Sequence, residues 1–126
     1  MIDAALKVHT LLGPGLLESA YEVCLRYELQ KRGHRVDRQR TVPIVYADVS
    51  LDIGFRIDLL VDNWVVVEVK AVSKLVPVHE AQLLSYLKLS GHHLGLLINF
   101  NVVHLRDGIR RLVNNLIEPS RAERPK

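Results

Sequence analysis

This sequence contains very little cysteine, and no long apolar run occurs in it. The 126 residues include one cysteine, Cys24, one methionine and one tryptophan. A single cysteine excludes an internal disulfide framework and is typical of a reducing compartment. No stretch approaches the roughly 20 consecutive apolar residues of a membrane-spanning helix, and the first residues lack a signal-peptide pattern. We therefore expect a cytoplasmic protein that does not enter a membrane.

The sequence also lacks a strong excess of either charge. Lys and Arg number 17 against 14 for Asp and Glu, a net charge of +3, which permits nucleic-acid binding without arguing strongly for it. Hydrophobic residues make up 48% of the chain, enough for a real core. No repeat or linker interrupts the pattern. We expect one domain over residues 1–118 and a flexible charged tail over 119–126.

The spacing of apolar residues predicts an alternation of helices and strands. Helical spacing predicts helices over residues 2–12, 16–32 and 78–89. Alternating or continuous apolar residues predict strands over 36–46, on both sides of Asp62-Asn63, and over 94–100. Residues 102–112 fit one or two short strands, or a strand followed by a helical turn. The order α, α, β, β, β, α, β predicts an α/β fold, a mixed sheet flanked by helices.

Three charged residues interrupt the hairpin around Asp62-Asn63. Asp58 precedes this polar break, and Glu68 and Lys70 follow it. Charges in a buried strand cost several kcal/mol unless they are paired, bind a metal or reach water. Three of them on neighbouring strands therefore indicate a functional site.

The length of the hairpin loop decides whether the two carboxylates can meet. A two-residue loop at Asp62-Asn63 would pair Asp58 with Val67 and place it on the opposite face from Glu68. An odd loop that includes Trp64 would set Asp58 directly opposite Glu68, and a β-bulge would have a similar effect. If the carboxylates work together, we expect an odd loop or a bulge.

The combination of two carboxylates and a lysine is suited to metal-dependent phosphodiester hydrolysis. Asp58 and Glu68 offer hard oxygen ligands for Mg²⁺, and the main-chain carbonyl of Val69 is a further candidate ligand. The ammonium group of Lys70 could orient a water molecule or stabilise developing charge. The competing interpretation is a salt-bridged strand pair in which Lys70 neutralises Glu68.

Several short motifs resemble those of a known family. The segment Gly15–Tyr21 reads G-L-L-E-S-A-Y and matches the G-x-x-E-x-x-Y signature of the GxxExxY protein family, part of the PD-(D/E)xK nuclease-like superfamily. The resemblance continues in order through the segments G-F-R-I-D (54–58), E-V-K-A (68–71), Q-L-L-S-Y-L (82–87) and L-I-N-F (97–100).

The resemblance implies a restriction-endonuclease-like αβββαβ core and a nuclease that uses Mg²⁺ or Mn²⁺. It implies that nucleic acid is the partner, DNA more than RNA. Gln82 and Tyr86 form a Q-x-x-x-Y helix motif that resembles that of the exonuclease-like branch and of RecB nuclease domains. The proline that names the superfamily is absent, since Ile57 stands before Asp58. The residues to which the family's roles transfer are Asp58 and Glu68 as metal ligands, Lys70, Glu18, Gln82 and Tyr86.

Other interpretations stay open at this point. Glu18 could be an ordinary acid in the first turn of a helix, where the helix dipole favours a negative charge. Tyr21 and Tyr86 could be core residues whose hydroxyl groups are hydrogen-bonded. The whole domain could be a non-catalytic module that binds nucleic acid or protein. A homodimer is possible, with the apolar strand edge after Leu94 as its contact. The basic residues between helix and strand fit either a solvated surface or a phosphate-binding edge: Lys31, Arg32, Arg35, Arg38 and Arg40.

Overall fold

The computed structural model describes residues 1–115, and these form a five-stranded mixed sheet with helices on both faces. The predicted α/β class and the predicted order of elements are confirmed. The end of the expected domain and the expected tail, residues 116–126, lie outside the described residues. The elements are α1 (Ile2–Leu12), α2 (Glu18–Lys31), β1 (Val36–Tyr46), β2 (Val49–Val61), β3 (Val65–Lys70), α3 (Pro77–Ser90), β4 (Leu94–Asn99), a 3-10 turn (Leu105–Gly108) and β5 (Ile109–Val113).

The start of α2 is set by a buried tyrosine rather than by helical spacing. Tyr21 is fully buried, its hydroxyl donates to the carbonyl of Gly13 at 2.6 Å, and it accepts from the amide of Leu16 at 3.0 Å. Leu17 is extended and caps the helix. The predicted start at residue 16 was therefore two residues early. Tyr21 is a core residue with a hydrogen-bonded tip, as one interpretation of the sequence proposed.

The sheet is antiparallel except at its centre, where β3 and β4 run parallel. Both central strands are covered on both faces, which explains their continuous apolar sequences. The sequence-based expectation that the edge after Leu94 is free for a partner was wrong. Leu94 to Ile98 pair with Val113 to Ile109, so β5 covers that edge. The helical turn in this region precedes the short strand and does not follow it.

Two separate apolar clusters hold the helices on the sheet. One packs α1 and α2 against one face, and the other packs α3 against the opposite face. No helix within residues 1–115 is long and apolar enough to cross a membrane. The fully buried members of the α3 cluster are Ile57, Leu60, Val66, Leu83, Leu87 and Leu97.

Candidate active site

The hairpin between β2 and β3 has the odd loop that the site requires. Val61 pairs with Val65, which leaves a three-residue loop of Asp62, Asn63 and Trp64. Asp62 and Asn63 both adopt positive φ angles, 55° and 50°. The expectation of an odd loop is confirmed, and continuing the register one step beyond the Leu59–Val67 pair sets Asp58 opposite Glu68.

Where Asp58 lies opposite Glu68, hydrogen bonds between main-chain amides and side-chain carboxylates take the place of the main-chain hydrogen bonds between the two strands. The amide of Asp58 donates to Oε1 of Glu68 at 3.2 Å, and the amide of Val69 donates to Oδ2 of Asp58 at 2.9 Å. The two strands are therefore joined at this end through their carboxylates. Each carboxylate is held by the main chain of the opposite strand, so its position is defined by the backbone of both strands.

The regular alternation of β2 breaks at Asp58. Ile57 packs in the α3 cluster, whereas Leu59, two residues later, packs in the α1–α2 cluster. On β1, Arg38 pairs with Leu59 and Arg40 with Ile57. Gln39, which lies between them, has a φ of 57°. Asp58 therefore lies where both strands depart from regular geometry, which lets it reach Val69 and Glu68.

Glu22 of α2 holds this irregular segment of β1. The amide nitrogen of the Gln39 side chain donates to Glu22, and Nη2 of Arg38 lies 2.8 Å from Oε2 of Glu22. Glu22 is only 4% exposed, and burial, together with the charge of Asp58, raises its pKa. The sequence analysis missed Glu22 and Gln39. The available signal was the position of Glu22 four residues after Glu18, on the same face of the helix.

Burial disfavours a charge on both carboxyl groups of the site. Glu68 is 4% exposed, and burial, followed by the charge of Asp58, raises its pKa to about 9. Burial also raises the pKa of Asp58, while its hydrogen bonds to Val69 and Glu68 oppose that change. Glu68 therefore favours its protonated form, which can donate a hydrogen bond to Asp58, because two buried charges this close repel each other.

The remaining predicted site residues surround this pair. Nζ of Lys70 lies 3.4 Å from Oε1 of Gln82 on α3, and the amide of Ala71 donates to Glu18 at 3.3 Å. The structure thus brings Glu18, Lys70 and Gln82 to the end of β3, with Glu18 coming from α2 and Gln82 from α3.

Tyr86 reaches the site from α3. Its ring stacks on Phe55 with centroids 4.1 Å apart and planes 5° from parallel. Burial raises the pKa of its phenol, and the negative charges of Glu68 and Asp58 raise it further. The phenol therefore stays protonated and available as a hydrogen-bond donor.

Few side chains at this site are placed to bind a metal ion. Within residues 1–115, no group of three or more His, Cys, Asp and Glu side chains is arranged to hold a metal ion. Asp58 and Glu68 provide two carboxylates, and the structure engages Val69 through its amide. Two carboxylates match Mg²⁺, which keeps several of its waters and does not require a full protein cage.

A polar cleft of about 760 Å³ opens beside Asp58 on the α2 side of the sheet. Arg56 lies on its wall, exposed, and its side chain makes no ion pair with any residue of 1–115. Arg38 is held by Glu22 and is less available. The lining residues are Leu16, Leu17, Glu18, Ser19, Glu22, Arg38, Gln39, Arg56, Asp58, Val69 and Ala71.

The comparison with protein families agrees with this geometry. A family model described as the PD-(D/E)XK nuclease superfamily matches residues 1–112. A search of the curated proteins and a search of the solved structures each found no significant match. The matched range includes the hairpin, both flanking helices and every predicted site residue. The chain therefore belongs to the PD-(D/E)XK nuclease superfamily.

Proposed function

We propose that this protein is a metal-dependent nuclease that hydrolyses phosphodiester bonds of nucleic acid. The observation that supports this most directly is the meeting of Asp58 and Glu68 at the end of a hairpin with an odd loop. Two buried carboxyl groups in contact are costly for stability, and a divalent cation would remove their repulsion.

The residues present fit Mg²⁺ or Mn²⁺. The carboxylates of Asp58 and Glu68 would hold the ion, with the main-chain carbonyl of Val69 as a further candidate ligand. When bound, such an ion polarises a phosphoryl group and lowers the pKa of a coordinated water. Glu68 must lose its proton for this, so we expect metal binding to release a proton and to strengthen as the pH rises.

The chain's own polar groups have separate roles in this proposal. Lys70, held towards Gln82, orients the attacking water and balances negative charge on the phosphate. Tyr86 donates a hydrogen bond from its protonated phenol. Glu18 holds the end of β3 through the amide of Ala71, which fixes the main chain next to Lys70.

The cleft beside Asp58 is proposed to receive the nucleic-acid backbone, with Arg56 as a phosphate contact. DNA is the first substrate to test, before RNA. The finer resemblance to the GxxExxY family rests on Gly15, Glu18 and Tyr21. The contacts of Tyr21 with the loop before α2, and of Glu18 with Ala71, give that motif a physical purpose.

Cleavage assays test the proposal. Single- and double-stranded DNA and RNA are incubated with wild-type protein in Mg²⁺, in Mn²⁺ and in excess chelator. We expect cleavage only with metal, and a loss of roughly 100-fold or more in Asp58→Asn and Lys70→Ala. Asp52→Asn, which removes an exposed carboxylate six residues away, is the matched control and should cleave like wild type. Cleavage that persists in excess EDTA would contradict the mechanism.

Melting curves test the metal site without a known substrate. Mg²⁺ or Mn²⁺ should raise the melting temperature of the wild type in a concentration-dependent way. Asp58→Asn should keep or raise the stability of the metal-free protein, because it removes a charge that burial disfavours, and it should abolish the effect of metal. If both proteins melt alike and ignore metal, a non-catalytic binding module is the better account.

A further inference from the structure

The hairpin of β1 and β2 extends far beyond the rest of the sheet. Strand β3 pairs only with Leu59 to Val61 of β2, so residues 41–56, here called the arm, form a two-stranded ribbon without a third strand. Isolated two-stranded ribbons are marginally stable in water. The arm must therefore gain stability from its own side chains or from a partner.

One face of the arm is apolar from its base to its tip. Val42 pairs with Phe55, and Tyr46 pairs with Val49, so the members of each pair lie on the same side. The register shifts between Pro43 and Val45, so residues 51–53 lie opposite Ile44 alone. The pairs on both sides of this bulge keep the same parity, which places the odd-numbered residues of β2 on the face of Val42 and Tyr46. This apolar strip consists of Val42, Ile44, Tyr46, Val49, Leu51, Ile53 and Phe55.

The base of the apolar strip is covered, and its outer part is not. Val42 and Phe55 pack against the α3 cluster. Towards the tip, Tyr46 is 75% exposed, Val49 57% and Ile53 67%. Contiguous apolar exposure of this kind in a monomeric protein marks an interaction site.

Charge along the arm shows which partner fits. The apolar strip carries no charged side chain, so it offers nothing to a phosphate backbone. Asp48 lies in the turn at the tip, and Arg40 lies at the base of the arm, on the same face of β1 as Val42 and 3.5 Å from Asp37. Two arms placed face to face and antiparallel would bring the acidic tip of each near the basic base of the other, which is the self-complementarity of a two-fold interface.

We propose that the apolar strip is a homodimer interface, in which the arms of two copies of this chain pack face to face and antiparallel. The strip is roughly 20 Å long, at about 3.3 Å per residue over seven residues of β2. Two strands of that length bury less than the ~800 Å² per partner of a standard interface. The dimer should therefore be reversible, with a dissociation constant in the range of about 1–100 µM.

Analytical ultracentrifugation over about 1–300 µM tests this, a range chosen to bracket that constant. The wild type should shift with concentration from the 14.3 kDa monomer towards twice that mass. Ile53→Lys places a charge on the apolar strip and should weaken association at least about tenfold. Ser50→Lys places the same charge on the other face of the same strand and should leave association unchanged. Both sites are exposed, and a melting curve of each variant verifies that it is folded.

Charge reversal tests the antiparallel arrangement separately. Asp48→Arg and Arg40→Asp should each weaken the dimer, and the double variant should recover it, since tip and base exchange their signs. A wild type that stays monomeric throughout the range would overturn the inference, whether the strip then proves to bind nucleic acid or another protein. Equal association of Ile53→Lys and Ser50→Lys would overturn it as well.

Discussion

Replacing Glu68 with glutamine should make the metal-free protein more stable at alkaline pH than the wild type. Glu68 is buried and protonated, with a pKa raised to about 9 from 4.5. A glutamine has the same shape and can reproduce both hydrogen bonds of the protonated acid. Its oxygen can accept from the amide of Asp58, and its amide group can donate to the Asp58 carboxylate. Glu68→Gln therefore keeps the contacts of the native acid and removes its titration.

The magnitude follows from the difference in pKa between the folded and unfolded protein. Between pH 4.5 and about 9 the folded protein binds one more proton at Glu68 than the unfolded protein. The stability that this group contributes is fully present below its unfolded pKa and is lost as the pH rises towards 9. Each pH unit in this window costs at most about 1.4 kcal/mol, so the wild type should lose about 3 kcal/mol relative to Glu68→Gln between about pH 5.5 and pH 8.

Urea unfolding of both proteins at several pH values in excess chelator measures this difference. The two free energies of unfolding should be similar near pH 5 and diverge as the pH rises, with Glu68→Gln the more stable. Effects of pH on groups away from the Asp58–Glu68 pair are common to both proteins and cancel. Asp52→Asn, a change at an exposed carboxylate of the arm, should run parallel to the wild type within about 0.5 kcal/mol. Parallel curves for the wild type and Glu68→Gln would refute the argument that Glu68 holds a buried proton.

Metal provides an independent check on the same residue. Mn²⁺ should recover the stability that the wild type loses at about pH 8, because the ion binds the ionised carboxylate and only in the folded state. Glu68→Gln lacks that carboxylate and should gain much less. A metal-induced increase in stability that is equal in both proteins would show that the ion binds elsewhere.

Three further predictions concern the scaffold of the site. Tyr21→Phe should lower the free energy of unfolding by about 1 kcal/mol in urea titrations, since the amide of Leu16 and the carbonyl of Gly13 lose their partner. Gly108→Ala should lower it by about 1–3 kcal/mol or more, because a Cβ there collides with the main-chain oxygen of Asn99. Gly108→Ser would place a Cβ at the same position and should lower the free energy of unfolding by at least as much. Glu22→Ala should cost about 1–3 kcal/mol at neutral pH, because Arg38 and Gln39 both lose their hydrogen-bond partner, and it should weaken stabilisation by Mn²⁺. A variant with unchanged stability and metal response would show that Glu22 does not hold the site.

Much of the fold could be predicted from the sequence because the relevant signals are local. Helical spacing and strand alternation depend on neighbouring residues, and they predicted the order of elements correctly. The boundaries were less certain, since α2 begins where Tyr21 reaches back to Gly13 across eight residues. The pairing of β4 with β5 likewise depends on contacts between distant segments, which no local pattern reveals.

The candidate site likewise has some features that local sequence patterns predict and others that depend on contacts between distant segments. Local patterns were enough to predict that Asp58, Glu68 and Lys70 lie on two adjacent strands, and that the carboxylates could meet only through an odd loop or a bulge. Only the tertiary structure decided that the loop has three residues and that β2 changes its alternation at Asp58. It also decided that both carboxyl groups are buried, which raises the pKa of each. The physical reason is that Glu22 and Gln39 hold the irregular segment from another helix and another strand, and that burial, which controls the pKa of Glu68, exists only once both faces of the sheet are covered.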